Sequence, residues 1–138
     1  MDRPHLIPAE MLREFGKRIL EKVGVAEPEA RITAEILVDA NLRGIDTHGI
    51  YLCDVYARRL QKGLINPNPN FSFKKKRSGI GILDEDFSLG QPATLEAARR
   101  AVELAKDAGV GIVVVKNSNH FGAASYYAEF CAKEDCIG

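Results

Sequence analysis

The segment VVVKNSNHFGAAS, Val113 to Ser125, carries the residue types best suited to chemistry in this chain. An apolar run that reads as a strand leads into a polar loop with His120, and small residues follow at what reads as a helix entrance. Imidazole titrates near neutrality, so a histidine held in such a loop can take a proton from a hydroxyl or return one to a carbonyl. Gly122, Ala123, Ala124 and Ser125 leave that entrance open to close approach. The free N–H groups and positive dipole end there suit an anion such as a phosphate. Asn117, Ser118 and Asn119 are natural loop formers, so a histidine that only bonds to backbone is the plain alternative.

A second segment, GIDTHGIYLCDVYARRLQKGLINP from Gly44 to Pro67, places His48 beside Gly49. Asp46 or Thr47 reads as the cap of a helix, with His48 and Gly49 in its first turn. The glycine there suggests that something approaches His48. Capping alone accounts for Asp46 and Thr47 and leaves the histidine and glycine unexplained.

These residues need elements to position them. Leu12, Phe15, Ile19 and Val23 recur at helical spacing between Pro8 and Gly24, predicting a helix near residues 8 to 23. Pro28 opens a second helix with Ile32, Ile36 and Leu37 on its apolar face, ending near Gly44. A third carries Leu52, Val55, Tyr56 and Leu60 and stops at Gly63. The stretch INPNPN, Ile65 to Asn70, cannot continue a helix and reads as an extended connection. FSFKKK and GIGILD then read as two strands that pair across Arg77-Ser78-Gly79. The pair Gly79 and Gly81 is no dinucleotide fingerprint, because Asp84 follows and the context is strand-turn. Pro92 opens a long helix with Leu95, Ala98, Val102 and Ala105 on one stripe and Gly109 as its stop. Residues 111–115 form a strand, residues 123–133 another helix, and Cys136-Ile137-Gly138 reads as the start of a further strand. Strand, helix, strand, helix is the order of an α/β sheet with crossover connections. Such sheets bind ligands beyond the C-terminal ends of their strands, where the loop from Lys116 to Phe121 falls. Residues 1–66 thus read as an N-terminal helical segment with the D-T-H-G motif, and residues 67–138 as the beginning of an α/β domain.

Composition narrows the function classes. With 19 Lys and Arg against 19 Asp and Glu there is no net field to draw nucleic acid or an anionic membrane. The basic run Lys74 to Arg77 reads as a solvated strand edge. A mean hydropathy of −0.15 with no long apolar run argues for a soluble chain rather than a membrane-spanning one. The first ten residues lack the apolar centre of a signal peptide, so cytoplasm is the expected compartment. Cys53, Cys131 and Cys136 form no C-x-x-C pair and read as free, mostly buried thiols. His5, His48 and His120 show no metal spacing, and His5 reads as surface. A hydrolase built on Cys53 finds no oxyanion loop to support it.

D-T-H-G, the G-L-I-N-P connection, L-G-Q and N-S-N-H-F-G stand here in order, and over essentially all 138 residues the chain resembles the malate/L-lactate dehydrogenase family. That family lies outside the Rossmann-fold lactate and malate dehydrogenases and includes ureidoglycolate, sulfolactate and diketogulonate-type oxidoreductases. The resemblance implies a three-layer α/β fold with non-Rossmann dinucleotide binding, usually a homodimer. It implies NAD- or NADP-dependent hydride transfer with a small 2-hydroxy or 2-oxo acid. It assigns His120 as proton acceptor, Thr47 and His48 as a hydroxyl-histidine pair at the substrate, and Tyr56 as a further pocket residue. Through it His120, Phe121, Gly122, Ala123, Ala124 and Ser125 become the segment lying against the cofactor.

Two departures qualify the resemblance. Leu52 stands where the family usually carries an arginine that grips the substrate carboxylate, and Arg58 and Arg59 lie further along the same helix. The family also continues beyond the strand at which this sequence stops. The expectation is therefore an N-terminal portion whose nucleotide site is incomplete alone. The alternative is a truncated, non-catalytic module that dimerises with a full-length relative.

Overall fold

The computed structural model describes residues 6–138, so His5 and the first part of the segment weighed as a signal peptide lie outside it. Two long helices open the chain, α1 (Ala9–Lys22) and α2 (Glu27–Leu42), packed as a hairpin. The stripe read from Leu12, Phe15, Ile19 and Val23 is rotated in the structure. Gly16 and Leu20 are the buried residues of α1, and Phe15 remains 59% exposed. Helix α1 presses so close to its neighbours that a Cβ on Gly16 would lie 2.7 Å from Ile50 Cδ1 and 3.2 Å from Ala34 Cβ. Close approach selects a small residue for the inner face, and an apolar periodicity does not register a glycine.

After α2 the chain makes one 3-10 turn over Asp46–His48 and enters α3 (Leu52–Gln61). Cys53, Tyr56 and Leu60 form the buried stripe of α3, in a core with Leu20, Leu37 and Ile65. The first predicted strand pair follows. Strand β1 (Ser72–Arg77) runs antiparallel to β2 (Ile80–Asp84), with Ser72 opposite Asp84 and a bulge between Lys75 and Arg77. The glycines of GIGILD serve this packing. A Cβ on Gly81 would strike the Phe73 ring at 2.4 Å, and one on Gly79 the Val110 carbonyl at 2.4 Å.

Helix α4 (Gly90–Ala108) then crosses over to β3 (Ile112–Lys116), which pairs parallel with β2, Asp84 opposite Lys116. Gly109, at φ +80°, provides the left-handed residue that ends α4. The single stripe read for α4 is too narrow. Leu95 and Val102 are buried, and so are Ala97 and Leu104, while Ala98 and Ala105 are only half-buried. The reason is that α4 packs against β2 and β3 on one side and against α2 and α5 (Ser125–Lys133) on the other. Sheet order is β1-β2-β3, with the basic run of β1 exposed on the outer strand. Of the three thiols only Cys53 is buried, and Cys131 and Cys136 are half-buried. Residues 136–138 form no strand but follow the last turn of α5. Among the described residues no helix is long and apolar enough to cross a membrane.

Two cores join these parts. Leu89, just before α4, belongs to the core of the N-terminal helices, and Ile36 of α2 packs with Leu95 of α4 and Tyr127 of α5. The contact at Gly16 can be tested directly. Gly16→Val is expected to lower stability by about 1–3 kcal/mol through overpacking, read as a lower urea midpoint at unchanged slope. An unchanged midpoint would show that α1 tolerates a wider separation.

Candidate active site

The loop between β3 and α5 carries His120, and its position follows from contacts on both sides. Asn119 donates its amide to the Phe87 and Ser88 carbonyls, at 3.0 and 2.9 Å. Phe87 N–H donates to the Asn117 carbonyl at 2.8 Å, and Glu85 N–H to the Lys116 carbonyl at 3.1 Å. The β2–α4 turn is thereby stitched to the His120 loop. Both turns use left-handed backbone at non-glycine residues, Asp86, Phe87 and Asn117, held by these bonds. Gly90 lets the two segments touch. A Cβ there would lie 2.5 Å from the Asn119 carbonyl oxygen and 2.6 Å from that of His120.

Around His120 the structure brings together residues from three other elements. Tyr56 Oη, from α3, lies 2.7 Å from His120 Nδ1, and Gln91 Nε2, from α4, donates to that same Oη at 2.8 Å. The His48 ring stacks on His120 with centroids 5.5 Å apart, and Thr47 Oγ1 lies 3.1 Å from His48 Nδ1. Thr47, His48, Tyr56 and His120 are therefore one cluster, although up to 73 residues separate them in sequence. Burial holds the His120 imidazole below its ordinary value, with the charges of His48 and Arg59 acting in the same direction. Burial drives the Tyr56 phenol up to about 12, so it stays protonated at neutral pH. With Nδ1 taken by Tyr56, Nε2 is the nitrogen left to meet a ligand.

The local reading of D-T-H-G needs correction. His48 is not in the first turn of α3, and neither Asp46 nor Thr47 caps that helix, whose N-cap position is Tyr51. Asn41 governs the turn instead. Its amide donates to Asp46 at 2.6 Å, and its Oδ1 accepts the Ile50 N–H at 2.8 Å. A Cβ on Gly49 would collide with the Asn41 side chain at 2.4 Å, so what approaches beside His48 is a side chain of the protein itself.

Phe121 to Ser125 lie next to the cluster. Phe121 packs between His120 and Tyr127, and the Tyr127 hydroxyl donates to its carbonyl. Gly122 turns the chain at φ +84° over Ile36 and Gln91. Helix α5 begins at Ser125, two residues later than the sequence suggests, with no side-chain cap. Tyr126 and Tyr127 N–H bond back to Ala123 and Ala124, and the amides from Phe121 to Ser125 donate to no group among the described residues. The Ser125 hydroxyl is buried without a partner among the described residues. This donor set of free amides and one unpaired hydroxyl suits a phosphate oxygen.

Sequence reasoning missed three contributors, Gln91, Gly90 and Asn41, and named Arg59 only together with Arg58. Gln91 was visible only as part of L-G-Q, and Gly90 as its glycine, and neither had a role until the loop was seen against them. Asn41 gave no local signal. Cys53 is excluded as a nucleophile, because burial pushes its thiol up to about 12.

Residues 7–138 match the model of the malate/L-lactate dehydrogenase family. This chain belongs to that family. It is 42% identical over 120 residues to the L-sulfolactate dehydrogenase of Methanocaldococcus jannaschii, which covers 87% of this chain and 35% of that protein. It is 38% identical over 132 residues to the malate dehydrogenase of Pyrococcus horikoshii, across 96% of this chain and 37% of the relative. The solved structure of the Methanocaldococcus jannaschii sulfolactate dehydrogenase superposes with a TM-score of 0.91 at 37% identity, over 95% of this chain and 38% of its own. The chain thus spans little more than a third of the length of these dehydrogenases. Its helices and three-stranded sheet are the N-terminal part of the malate/L-lactate dehydrogenase fold.

One further ionisable group lies under the loop of this family member. Glu85 is fully buried, neither carboxylate oxygen has a hydrogen-bond partner among the described residues, and burial lifts it to about 7 against the partial opposition of the nearby Ser118 side chain. Its neighbour Asp84 is held down at about 2 by Lys116, Asn117 and the Asp86 amide. Unfolded, Glu85 releases its proton near pH 4.5, whereas folded it keeps it to about 7. Between those values the unfolded state binds fewer protons, so Glu85 lowers stability as pH rises, levelling off above 7. Stability measured by urea unfolding for wild type minus Glu85→Gln should therefore fall by roughly 2–3 kcal/mol from pH 4.5 to 7. A flat difference would show that water reaches the carboxylate.

Proposed function

We propose that the protein carrying this chain is an NAD- or NADP-dependent oxidoreductase that exchanges a hydride between the cofactor and a small 2-hydroxy or 2-oxo acid. We infer further that it works as a homodimer in the cytoplasm. The observation that carries the reaction is the hydrogen-bonded pair Tyr56 and His120, with His48 stacked beside it at the C-terminal end of a parallel strand. His120 is an exposed residue whose imidazole is held below its ordinary value, so it is neutral at physiological pH, as a group that takes a substrate proton must be. Thr47 and His48 supply hydrogen-bonding groups across the same opening. No protein side chain accepts a hydride, and a bound nicotinamide would supply that step. The free amides of Phe121 to Ser125 and the unpaired Ser125 hydroxyl are the groups that would hold its phosphates.

A 2-hydroxy acid also needs a cation for its carboxylate. Leu52 cannot provide one, being half-buried against the helical core. Arg58 is tied to Asp54 at 2.9 Å. Arg59 makes no ion pair among the described residues. It follows Tyr56 by three residues and Leu52 by seven, on one face of α3, and helical side chains lean toward the N-terminus, over that face. Its charge reaches both Tyr56 and His120. Arg59 is thus the carboxylate anchor in this reading.

Two measurements test it. With NAD or NADP and a panel of 2-hydroxy acids including L-malate and L-lactate, absorbance at 340 nm should rise, and His120→Ala should lower kcat by about 10²–10⁴-fold. No turnover with any pair of cofactor and acid would refute the reading. Arg59→Ala should raise KM about ten- to a hundredfold through loss of a charge-assisted contact. The same variant removes a positive charge near His120, so the acidic limb of kcat/KM should move to higher pH. Unchanged KM in Arg59→Ala, with Arg58→Ala impaired, would reassign the anchor.

A further inference from the structure

Gln91 lies in the first turn of α4, fully buried, and only half of its amide is used. Nε2–H donates to Tyr56 Oη, while Oε1 has no hydrogen-bond partner among the described residues. Tyr56 Oη has one proton to give and two lone pairs to receive with. One lone pair takes the Gln91 N–H, and the other polar atom in reach is His120 Nδ1. Were Nδ1 also a donor, the phenolic proton would be left in the core without an acceptor, a costly arrangement. Tyr56 therefore donates to Nδ1, and the proton of neutral His120 resides on Nε2.

We propose that the orientation of the Gln91 amide decides which nitrogen of His120 carries the proton, making Gln91 a positioning residue for proton transfer. In the arrangement seen, Nε2–H can hydrogen-bond a substrate oxygen but has no lone pair to act as a base. A half-turn of the amide brings Oε1 to Tyr56, so that Tyr56 donates to Gln91 and accepts from an Nδ1–H. The imidazole proton is then on Nδ1, and Nε2 is bare. In oxidation Nε2 would take the substrate hydroxyl proton, and a nicotinamide, when bound, would supply the hydride acceptor. The imidazolium so formed is stabilised through Nδ1–H, Tyr56 and Oε1. In reduction the same imidazolium returns the Nε2 proton to the carbonyl oxygen. The rotation exchanges one unpaired end of the amide for the other, Oε1 gaining the bond to Tyr56 that Nε2–H gives up. Gly122 leaves space above the amide, since even a Cβ there would remain 3.6 Å from Nε2. His48 and Arg59 face the same imidazole and oppose its protonation.

The catalytic meaning rests on the proposed role of His120, but the tautomer is read without turnover. Long-range nitrogen-proton NMR of the purified protein at pH 8 should show His120 as the Nε2–H tautomer. Gln91→Glu, whose carboxylate can only accept at that pH, should shift His120 to the Nδ1–H tautomer and raise the pH at which it titrates. Gln91→Met should leave a mixture of the two. An Nδ1–H tautomer in the wild type, or no change of tautomer in a folded Gln91→Glu variant, would overturn the proposal. Should Gln91→Glu fail to fold by circular dichroism, the wild-type spectrum alone decides.

Discussion

Backbone contact at Gly90 is the constraint on which the site depends. The first residue of α4 lies against the carbonyls of Asn119 and His120 with no room for a Cβ. Because the loop rests there, the next residue, Gln91, sits beneath Gly122 and within reach of Tyr56. Because Tyr56 comes from α3, the N-terminal helices are tied to the His120 loop through a phenol rather than through packing alone. Asn119, bonded to two carbonyls of the preceding turn, holds the loop from the other side. His120 is thus fixed by backbone, by its Nδ1 partner and by the stacked His48, the preorganisation that proton transfer requires.

Several polar groups around this contact are buried without full compensation. The Glu85 carboxylate, the Gln91 Oε1 and the Ser125 hydroxyl all lack partners. Native interiors contain few such groups, because each costs the desolvation of a polar atom. These three fall on the two turns that frame His120 or on the first turns of the helices that follow them, while Arg13, Glu29 and Thr33 carry further unpartnered atoms on α1 and α2. The exposed charges elsewhere are mostly paired within single helices, such as Arg18 with Glu14 and Arg100 with Glu96, and contribute little to stability.

Much of the architecture was legible in local patterns. Helix boundaries followed Pro28 and Gly109, and the β1–β2 pairing followed the alternation in FSFKKK and the short run GIGILD. Periodicity failed where packing distance or two-sided burial took over. Gly16 replaced Phe15 on the inner face of α1, and α4 buried two sides instead of one stripe. The D-T-H-G turn was misread as the start of a helix because its organiser, Asn41, lies on the previous helix, where no capping rule looks for it.

By itself the sequence determined the element order, the α/β class and the histidines worth attention, because propensity, turn chemistry and imidazole reactivity are properties of residues and their near neighbours. Only the tertiary structure decided that His120 would meet Tyr56, that Gln91 would stand behind both, and that Arg59 rather than Arg58 would face the cluster. Those outcomes rest on distances between segments 29 to 64 residues apart, which follow from how α4 packs between sheet and helices. Hydrogen-bond direction at a buried phenol is decided last of all, by the count of donors and acceptors that packing leaves within reach.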